Sequence, residues 1–135
     1  ADSQNRRVQK CSMVSAGEDC TTLWTGVDVL LGSMVLDAEN ADIFWVGAQF
    51  FVKKCSFGGG TCEEWLGEKD DEDMHDVGSA NGITFHSDGD LLVADEFNSR
   101  LLKCPLATKQ PDCIWLAGYD AYGTSDGQGS GQTCM

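Results

Sequence analysis

The sequence predicts an all-β protein. Sixteen glycines and two prolines stand among 135 residues, a composition typical of strands joined by many turns. The apolar residues form short runs bounded by Gly, Asp, Asn or Pro, as strands with tight turns do. The runs recur along the chain in three copies of one unit. The first cysteine of each copy, at Cys11, Cys55 and Cys104, repeats after 44 and then 49 residues.

The clearest unit covers residues 81–118. Its apolar runs are residues 83–85, 91–94, 101–102 and 114–116, and the first two are separated by Ser-Asp-Gly-Asp at 87–90. Asp and Gly tolerate the positive φ angles that hairpin turns require. The unit is therefore predicted to be a four-stranded antiparallel meander.

The rest of the chain repeats this unit. Residues 1–11 match residues 94–104 at a constant offset of 93, with Ala, Asp, Asn, Arg, Lys and Cys identical. A middle copy at 42–55 keeps the strand pattern, but by this spacing it has Val46 in place of Asp and Phe51 in place of Arg. Each copy also has one tryptophan (Trp24, Trp65 or Trp115) after its second cysteine, which we interpret as packing between sheets. A period in the forties with about four strands per unit is typical of a β-propeller blade.

The run NGITFHSDGDLLVADEFNSRLLKC resembles an NHL repeat, a β-propeller family. The positions that fall on the family pattern are Gly82, Ile83, Gly89, Val93, Ala94, Asp95, Asn98 and Arg100, with Ala1, Asp2, Asn5 and Arg7 in the first copy. The segment 116–130 is similar to the linker between NHL blades, whereas Asn81 replaces the usual proline. With its cysteine pairs, the chain is similar to secreted NHL-like proteins of algae and other protists.

The resemblance divides the chain into about two and a half blades. Residues 1–26 would be the C-terminal half of a blade, 27–67 a degenerate blade, 68–118 the best-preserved blade and 119–135 a linker. Because two and a half blades cannot close a ring, we expect a piece of a larger propeller. The alternative is that copies complement one another head to tail in an oligomer or fibre.

Seven cysteines indicate disulfide bonds. Pairs recur at one place in each copy, which predicts the local disulfides Cys11–Cys20, Cys55–Cys62 and Cys104–Cys113, and leaves Cys134 over. No Cys-x-x-Cys is present, so zinc binding is not favoured. Disulfides persist in oxidising compartments, and we therefore expect a secreted, extracellular protein.

The charge balance limits the partners. With 9 basic and 22 acidic residues, the net charge of -13 disfavours nucleic acid and anionic lipid. No apolar run is long enough to span a bilayer, so membrane insertion is not expected. An acidic stretch contains the candidate cation ligands Asp70, Asp71, Asp73 and Asp76, and His86 is a candidate ligand facing a propeller channel. Without ligand spacing of a known kind, we interpret the stretch as a solvated loop and expect no metal or cofactor.

Charged pairs five residues apart lie across a predicted turn. Asp95 and Arg100, with Asp2 and Arg7 in the first copy, are expected to form charge-assisted pairs that lock each blade, although a substrate clamp is an alternative. The asparagine of each turn, Asn98 or Asn5, is expected to take the left-handed backbone conformation.

The middle copy differs by its aromatic residues. Phe44, Trp45, Phe50 and Phe51 place four aromatic side chains in eight residues, on alternating faces of a strand pair. We expect one of these faces to be a surface for a protein partner.

Together these features favour an extracellular structural or interaction protein with a rigid, disulfide-stapled propeller scaffold. Its partners would be other protein chains, including copies of itself, and an aromatic platform could also take a glycan. The alternative is a propeller enzyme, a lyase or lactonase-like hydrolase with a metal in the central channel. No Ser/His/Asp or Cys/His arrangement is visible, so the sequence favours the first interpretation and no catalytic residue is identified.

Overall fold

The computed structural model describes residues 1–12, 19–25, 30–58, 61–67 and 77–118. Within these ranges there are ten strands and no helix, so the prediction of an all-β protein is confirmed. The strands are β1 (Arg7–Cys11), β2 (Cys20–Thr25), β3 (Leu31–Leu36), β4 (Ile43–Ala48), β5 (Phe51–Ser56), β6 (Cys62–Gly67), β7 (Ala80–Phe85), β8 (Leu91–Asp95), β9 (Arg100–Cys104) and β10 (Ile114–Gly118).

The strands form three antiparallel sheets in chain order. The first sheet contains β1 and β2, the middle sheet β3 to β6, and the third sheet β7 to β10. Neighbouring strands in each sheet are consecutive in the chain, so the predicted meander over 81–118 is confirmed. The described part of the chain contains no closed ring of sheets.

The middle sheet packs on both of its faces. Phe44, Val46 and Ala48 of β4 belong to a core shared with Val8 of the first sheet. Trp45, which points to the other face, belongs to a second core shared with the third sheet. Consecutive sheets therefore stack face to face, and every residue of β4 after Ile43 is buried.

Glycines allow the middle and third sheets to approach closely. A Cβ atom added at Gly47 would lie 2.3 Å from the carbonyl oxygen of Ala80, and one added at Gly32 would lie 2.7 Å from the same atom. Beside this contact the backbone N–H of Ile83 donates a hydrogen bond of 2.8 Å to Ser33 Oγ. Strand β7 thus lies almost backbone to backbone against β3 at Gly32 and against β4 at Gly47.

The three sheets share the same irregularities. Each has a β-bulge in its last strand, three residues after the second cysteine, at Leu23, Trp65 and Leu116. Each also has a left-handed residue five positions before the first cysteine: φ is 50° at Arg6, 68° at Phe50 and 50° at Ser99. The expectation that Asn5 and Asn98 would take this conformation is therefore wrong, since the residue that follows each of them does so.

The register corrects the alignment of the middle copy. Ala48 pairs with Phe51 as Asp95 pairs with Arg100, whereas Val46 pairs with Lys53. The turn between β4 and β5 consists of Gln49 and Phe50 alone, and the turn between β8 and β9 spans residues 96–99. Because the shorter turn removes two residues, Ala48 and not Val46 takes the place of the aspartate.

The tryptophans do not share one position. Trp24 pairs with Val8 and Trp115 pairs with Leu102, whereas Trp65 is the bulge residue of β6. They lie four, two and three residues after the second cysteine of their copies. Trp65 is buried and the other two are half-buried, so each contributes differently to packing.

Candidate functional site

The carboxylate of Asp95, at the end of β8, is buried and accepts four hydrogen bonds. Its Oδ1 accepts hydrogen bonds from the backbone N–H groups of Gly78 (3.1 Å) and Ser79 (3.0 Å). Its Oδ2 accepts from Asn98 Nδ2 (2.8 Å) and Arg100 Nε (3.0 Å). Asp95 and Arg100 are 1% and 9% exposed, so this is a buried ion pair with its hydrogen bonds satisfied.

The surroundings of the pair tie several parts of the third sheet together. The guanidinium of Arg100 lies over the Trp115 ring, with Cζ 5.3 Å from the ring centroid. The two amides that Asp95 accepts belong to the segment that leads into β7. With all these partners inside the protein, the geometry supports a locking role for the pair over a substrate clamp.

The matching pair in the first copy is more exposed. Arg7 Nε donates to Asp2 Oδ2 at 2.9 Å, and Asn5 Nδ2 donates to both oxygens of the same carboxylate. Hydrogen bonds from Asn5 and then Arg7 hold the pKa of Asp2 below its ordinary value. The side chains of Asp2 and Arg7 are 30% and 38% exposed, however, and water screens the pair.

The middle copy replaces the charged pair with backbone contacts. The N–H of Gln49 donates to the carbonyl oxygen of Leu30 (3.1 Å), and the N–H of Phe50 donates to that of Gly78 (3.2 Å). Gln49 also forms an isolated bridge with Ser79. Gly78 and Ser79 therefore contact both the Asp95 carboxylate and the turn of the neighbouring sheet.

Three exposed apolar side chains surround this junction. Phe97, in the turn after β8, packs beside Gly78, where an added Cβ would lie 2.8 Å from the Phe97 Cβ. Its side chain is 76% exposed, and Phe50 and Leu30 are also exposed. The backbone bonds above hold Phe50 beside Gly78 and Leu30 beside Gln49, and we group Leu30, Phe50 and Phe97 as the turn-end patch.

The aromatic residues predicted as a partner surface are divided by the fold. Phe44 and Trp45 are buried in the two cores, so the expectation that they lie on a partner surface is wrong. Phe51 is half-buried, with Lys53 Nζ 4.6 Å from its ring centroid. Phe50 alone of the four is exposed, in the turn-end patch. Sheets stacked on both faces of β4 explain the difference, because neither face is left to solvent.

A second exposed apolar surface lies on the edge strand β10. Ile114 and Leu116 are two residues apart and both exposed. Ile114 pairs with Lys103, at the end of β9 away from the turn-end patch. In the middle sheet the same position, opposite Lys54, is Glu63, a charge of the kind that protects edge strands from pairing. We call Ile114 and Leu116 the β10 edge.

A cleft of about 690 Å³ lies between the β3–β4 turn and the β7–β8 turn. Apolar atoms of Ile43, Trp45 and Leu106 and the charged groups of Asp37 and Lys54 line it. Asp37 Oδ2 accepts from Trp45 Nε1 at 3.0 Å, and its Oδ1 accepts from two backbone amides. Burial alone would raise the pKa of Asp37, but these hydrogen bonds and the nearby Lys54 hold it below its ordinary value.

The β7–β8 turn places charged groups at the rim of the cleft. Asp88 accepts a hydrogen bond from Lys103 Nζ and lies 2.6 Å from His86 Nδ1. These contacts, Lys103 first and then His86, hold the pKa of Asp88 well below its usual range, and the bond with Asp88 raises the pKa of Lys103. His86 is thus paired within its own turn, and we assign the cleft no ligand.

The lowered carboxyl pKa values predict acid sensitivity. Asp2, Asp37 and Asp88 all have folded-state pKa values below 3.8, so the unfolded chain binds more protons in acid. The stability they contribute is present above about pH 4 and is lost as the pH falls towards the folded-state values. We expect the urea midpoint to fall between about pH 6 and pH 2.5. Asp37→Asn, which keeps an acceptor for Trp45, should show a smaller fall; an unchanged midpoint in the wild-type protein would contradict the assignment.

The predicted metal ligands have separate outcomes. Among the described residues, no group of three or more His, Cys, Asp or Glu side chains is placed to hold a metal ion. Asp70, Asp71, Asp73 and Asp76, and the predicted linker 119–135, lie outside the described residues. Nor do the described ranges include a helix long and apolar enough to cross a membrane.

Disulfides join the third and fourth strands or their equivalents in every sheet. The bonds are Cys11–Cys20, Cys55–Cys62 and Cys104–Cys113, and their Cα atoms lie 4.0, 4.1 and 4.3 Å apart. All three predicted pairs are therefore formed. Such bonds are typical of extracellular proteins. Cys134 lies outside the described residues.

Comparison with protein-family models, curated proteins and solved structures finds no match to this chain. The candidate site therefore rests on the geometry above. Sequence reasoning missed Leu30, Phe97, Ile114 and Leu116. Two signals could have found some of them: a bulky apolar residue inside a predicted turn, as for Phe97, and apolar residues at alternate positions of an edge strand, as for Ile114 and Leu116.

Proposed function

We propose that this protein is an extracellular structural subunit whose sheets are consecutive blades of an NHL-type β-propeller. The shared offsets of the three sheets support the blade interpretation. Relative to the cysteines, the disulfide, the bulge and the left-handed residue occupy the same positions in each sheet. Independent irregularities rarely coincide in unrelated sheets, so we infer one repeated unit.

The stacking of the sheets supports the same interpretation. Blades of a propeller pack face to face, with their first strands nearest the axis. Here the first strand of the third sheet, β7, lies close to the first strand of the middle sheet at Gly32, and its Ala80 also lies against Gly47 of β4. Later strands of the two sheets contact through larger side chains such as Trp65. The sheets therefore diverge from the inner strands outward, as blades do.

The observation that carries the structural role is the pair of exposed apolar surfaces. The turn-end patch lies at the β8–β9 turn, and the β10 edge lies beside the far end of β9. Exposed apolar side chains are unfavourably hydrated, and contact between copies would remove them from water. We propose that the turn-end patch of one copy contacts the β10 edge of the next.

The symmetry of this contact determines which assembly forms. A contact between two different surfaces is heterologous, and repetition extends it into a ring or a fibre. Three large side chains on one side and two on the other bury less than a standard interface does, so we expect a dissociation constant on the order of 100 µM. The net charge of -13 opposes association, and salt should therefore strengthen it.

Two surface variants test this proposal by sedimentation. Phe50→Ser/Phe97→Ser removes most of the turn-end patch, and Ile114→Glu introduces the residue that β6 has at the matching position. We expect the wild-type protein to associate in a concentration- and salt-dependent way, and each variant alone to be monomeric. Mixed together they should form a dimer that grows no further, because one copy keeps an intact edge and the other keeps an intact patch.

The mixing experiment distinguishes the alternatives. If like surfaces contacted each other, at least one single variant would still associate and the mixture would add nothing. A wild-type protein that is monomeric at about 1 mM and high salt would overturn the proposed assembly. Asp19→Ser, an exposed change outside both surfaces, serves as the control and should associate like the wild type.

A further inference from the structure

The three disulfides occupy equivalent positions but differ in exposure. Cys55 is 1% exposed and its partner Cys62 is half-buried, and Cys104 and Cys113 are 0% and 6% exposed. Both Cys11 and Cys20 are exposed. The three bonds occupy equivalent backbone positions and have similar Cα separations. The main difference among them is therefore how exposed their cysteines are to solvent.

The stacking of the sheets causes this difference. Cys55 belongs to the core between the first and middle sheets, where Val8 and Phe44 also lie. Cys104 and Cys113 belong to the core between the middle and third sheets. Cys11 and Cys20 belong to neither core, because they lie at the end of the two-stranded sheet away from Val8.

We propose that Cys11–Cys20 is a site of thiol–disulfide exchange with a small aliphatic thiol of the glutathione type. The thiolate attacks one Sγ atom along the axis of the bond, which requires open access to that sulfur. A bond forms between the incoming sulfur and the attacked cysteine as the Sγ–Sγ bond breaks. The other cysteine leaves as a thiolate and takes up a proton. The incoming thiol supplies both electrons, so no separate oxidant or reductant is needed.

The reaction would be local. Val8, three residues before Cys11, is fully buried, and its pairing with Trp24 holds β1 and β2 together beyond the disulfide. The Asp2–Arg7 pair holds the far end of β1. Opening of the exposed disulfide therefore leaves the hairpin anchored, whereas Cys55, Cys104 and Cys113 are buried between stacked sheets and Cys62 is half-buried, which slows attack on the other two disulfides. This inference does not depend on the proposed contact between the turn-end patch and the β10 edge.

Alkylation mapping tests the proposal on the folded full-length chain. The protein is incubated with reduced glutathione, free thiols are blocked at intervals, and each cysteine-containing peptide is quantified by mass spectrometry. We expect blocked or glutathionylated Cys11 and Cys20 to accumulate at least about tenfold faster than the four buried or half-buried cysteines. Rates that converge in concentrated urea would show that the fold causes the difference.

Two variants complete the experiment. Cys11→Ser/Cys20→Ser should remove the fast phase and leave the slow phases unchanged. Cys134→Ser should leave the fast phase intact, which shows that glutathione and not Cys134 is the nucleophile. Equal rates at all three disulfides in the folded wild-type protein, or faster reaction at Cys55–Cys62 or Cys104–Cys113, would overturn the proposal.

Discussion

Replacing Asp95 with alanine is expected to lower the free energy of unfolding by about 3–5 kcal/mol, because it removes the carboxylate that compensates a buried guanidinium charge. Arg100 is 9% exposed and cannot reach water without disturbing its contact with Trp115. The amides of Gly78 and Ser79 also lose their acceptor. Urea unfolding followed by tryptophan fluorescence measures the change.

The chain supplies two matched controls. Asp2→Ala removes the equivalent carboxylate from an exposed pair, and a much smaller loss of stability is expected there because water screens the pair. Asp95→Ala/Arg100→Phe introduces the residues that Ala48 and Phe51 provide in the middle sheet. The double variant should recover part of the loss, because no buried charge is left unpaired. Equal losses at Asp95 and Asp2 would show that burial does not determine the strength of the pair.

The features that the sequence predicts correctly are those that depend on local signals. The meander over 81–118 follows from local signals, since turn residues and short apolar runs determine where strands begin and end. The disulfides are equally predictable from the sequence, because each closes a short loop at a repeated position. Both predictions depend on interactions between residues close in the chain.

The middle copy was less predictable because its turn is shorter. Spacing without gaps aligned Val46 with the aspartates, and the structure shows that Ala48 takes that place. Nothing local marks the loss of two turn residues, because Phe50 adopts the left-handed conformation without being glycine or asparagine. Backbone hydrogen bonds from Gln49 to Leu30 and from Phe50 to Gly78 replace the lost ion pair, and both acceptors are distant from this turn in sequence.

The aromatic residues show the limit of strand periodicity. Alternation places Phe44 and Trp45 on opposite faces, and the structure agrees, but periodicity cannot tell whether a face is covered. Coverage depends on the neighbouring sheets, which pack through residues far along the chain. Phe44 and Trp45, two of the four aromatic residues that suggested a partner surface, therefore lie buried between sheets.

Trp45 makes ring contacts within its own sheet and with the third sheet. Its ring lies 4.9 Å from that of Trp65 and 6.3 Å from that of Phe85, in edge-to-face geometry with both. Phe85 belongs to the third sheet, so this cluster joins two sheets. Lys54 Nζ lies 5.2 Å from the same ring centroid, and the indole N–H donates to Asp37.

Trp45→Ala is therefore expected to destabilise the protein by about 3–5 kcal/mol through loss of apolar contact and the cavity that remains. Trp45→Phe keeps a ring between the sheets but removes the donor to Asp37, and part of the loss should persist. The difference in stability between the two variants measures the packing of the ring. The loss of stability that remains in Trp45→Phe measures the polar contact to Asp37 together with the effect of the smaller ring. Urea midpoints and slopes report both.

Trp115→Ala is the matched control, because Trp115 is half-buried and lies outside the Trp45–Trp65–Phe85 cluster. Its loss should be clearly smaller. A partner surface at Trp45 would give the opposite result, with stability unchanged and self-association altered. Sedimentation of Trp45→Phe under the conditions used for the surface variants separates these outcomes: unchanged association with reduced stability is what a residue between two stacked sheets requires.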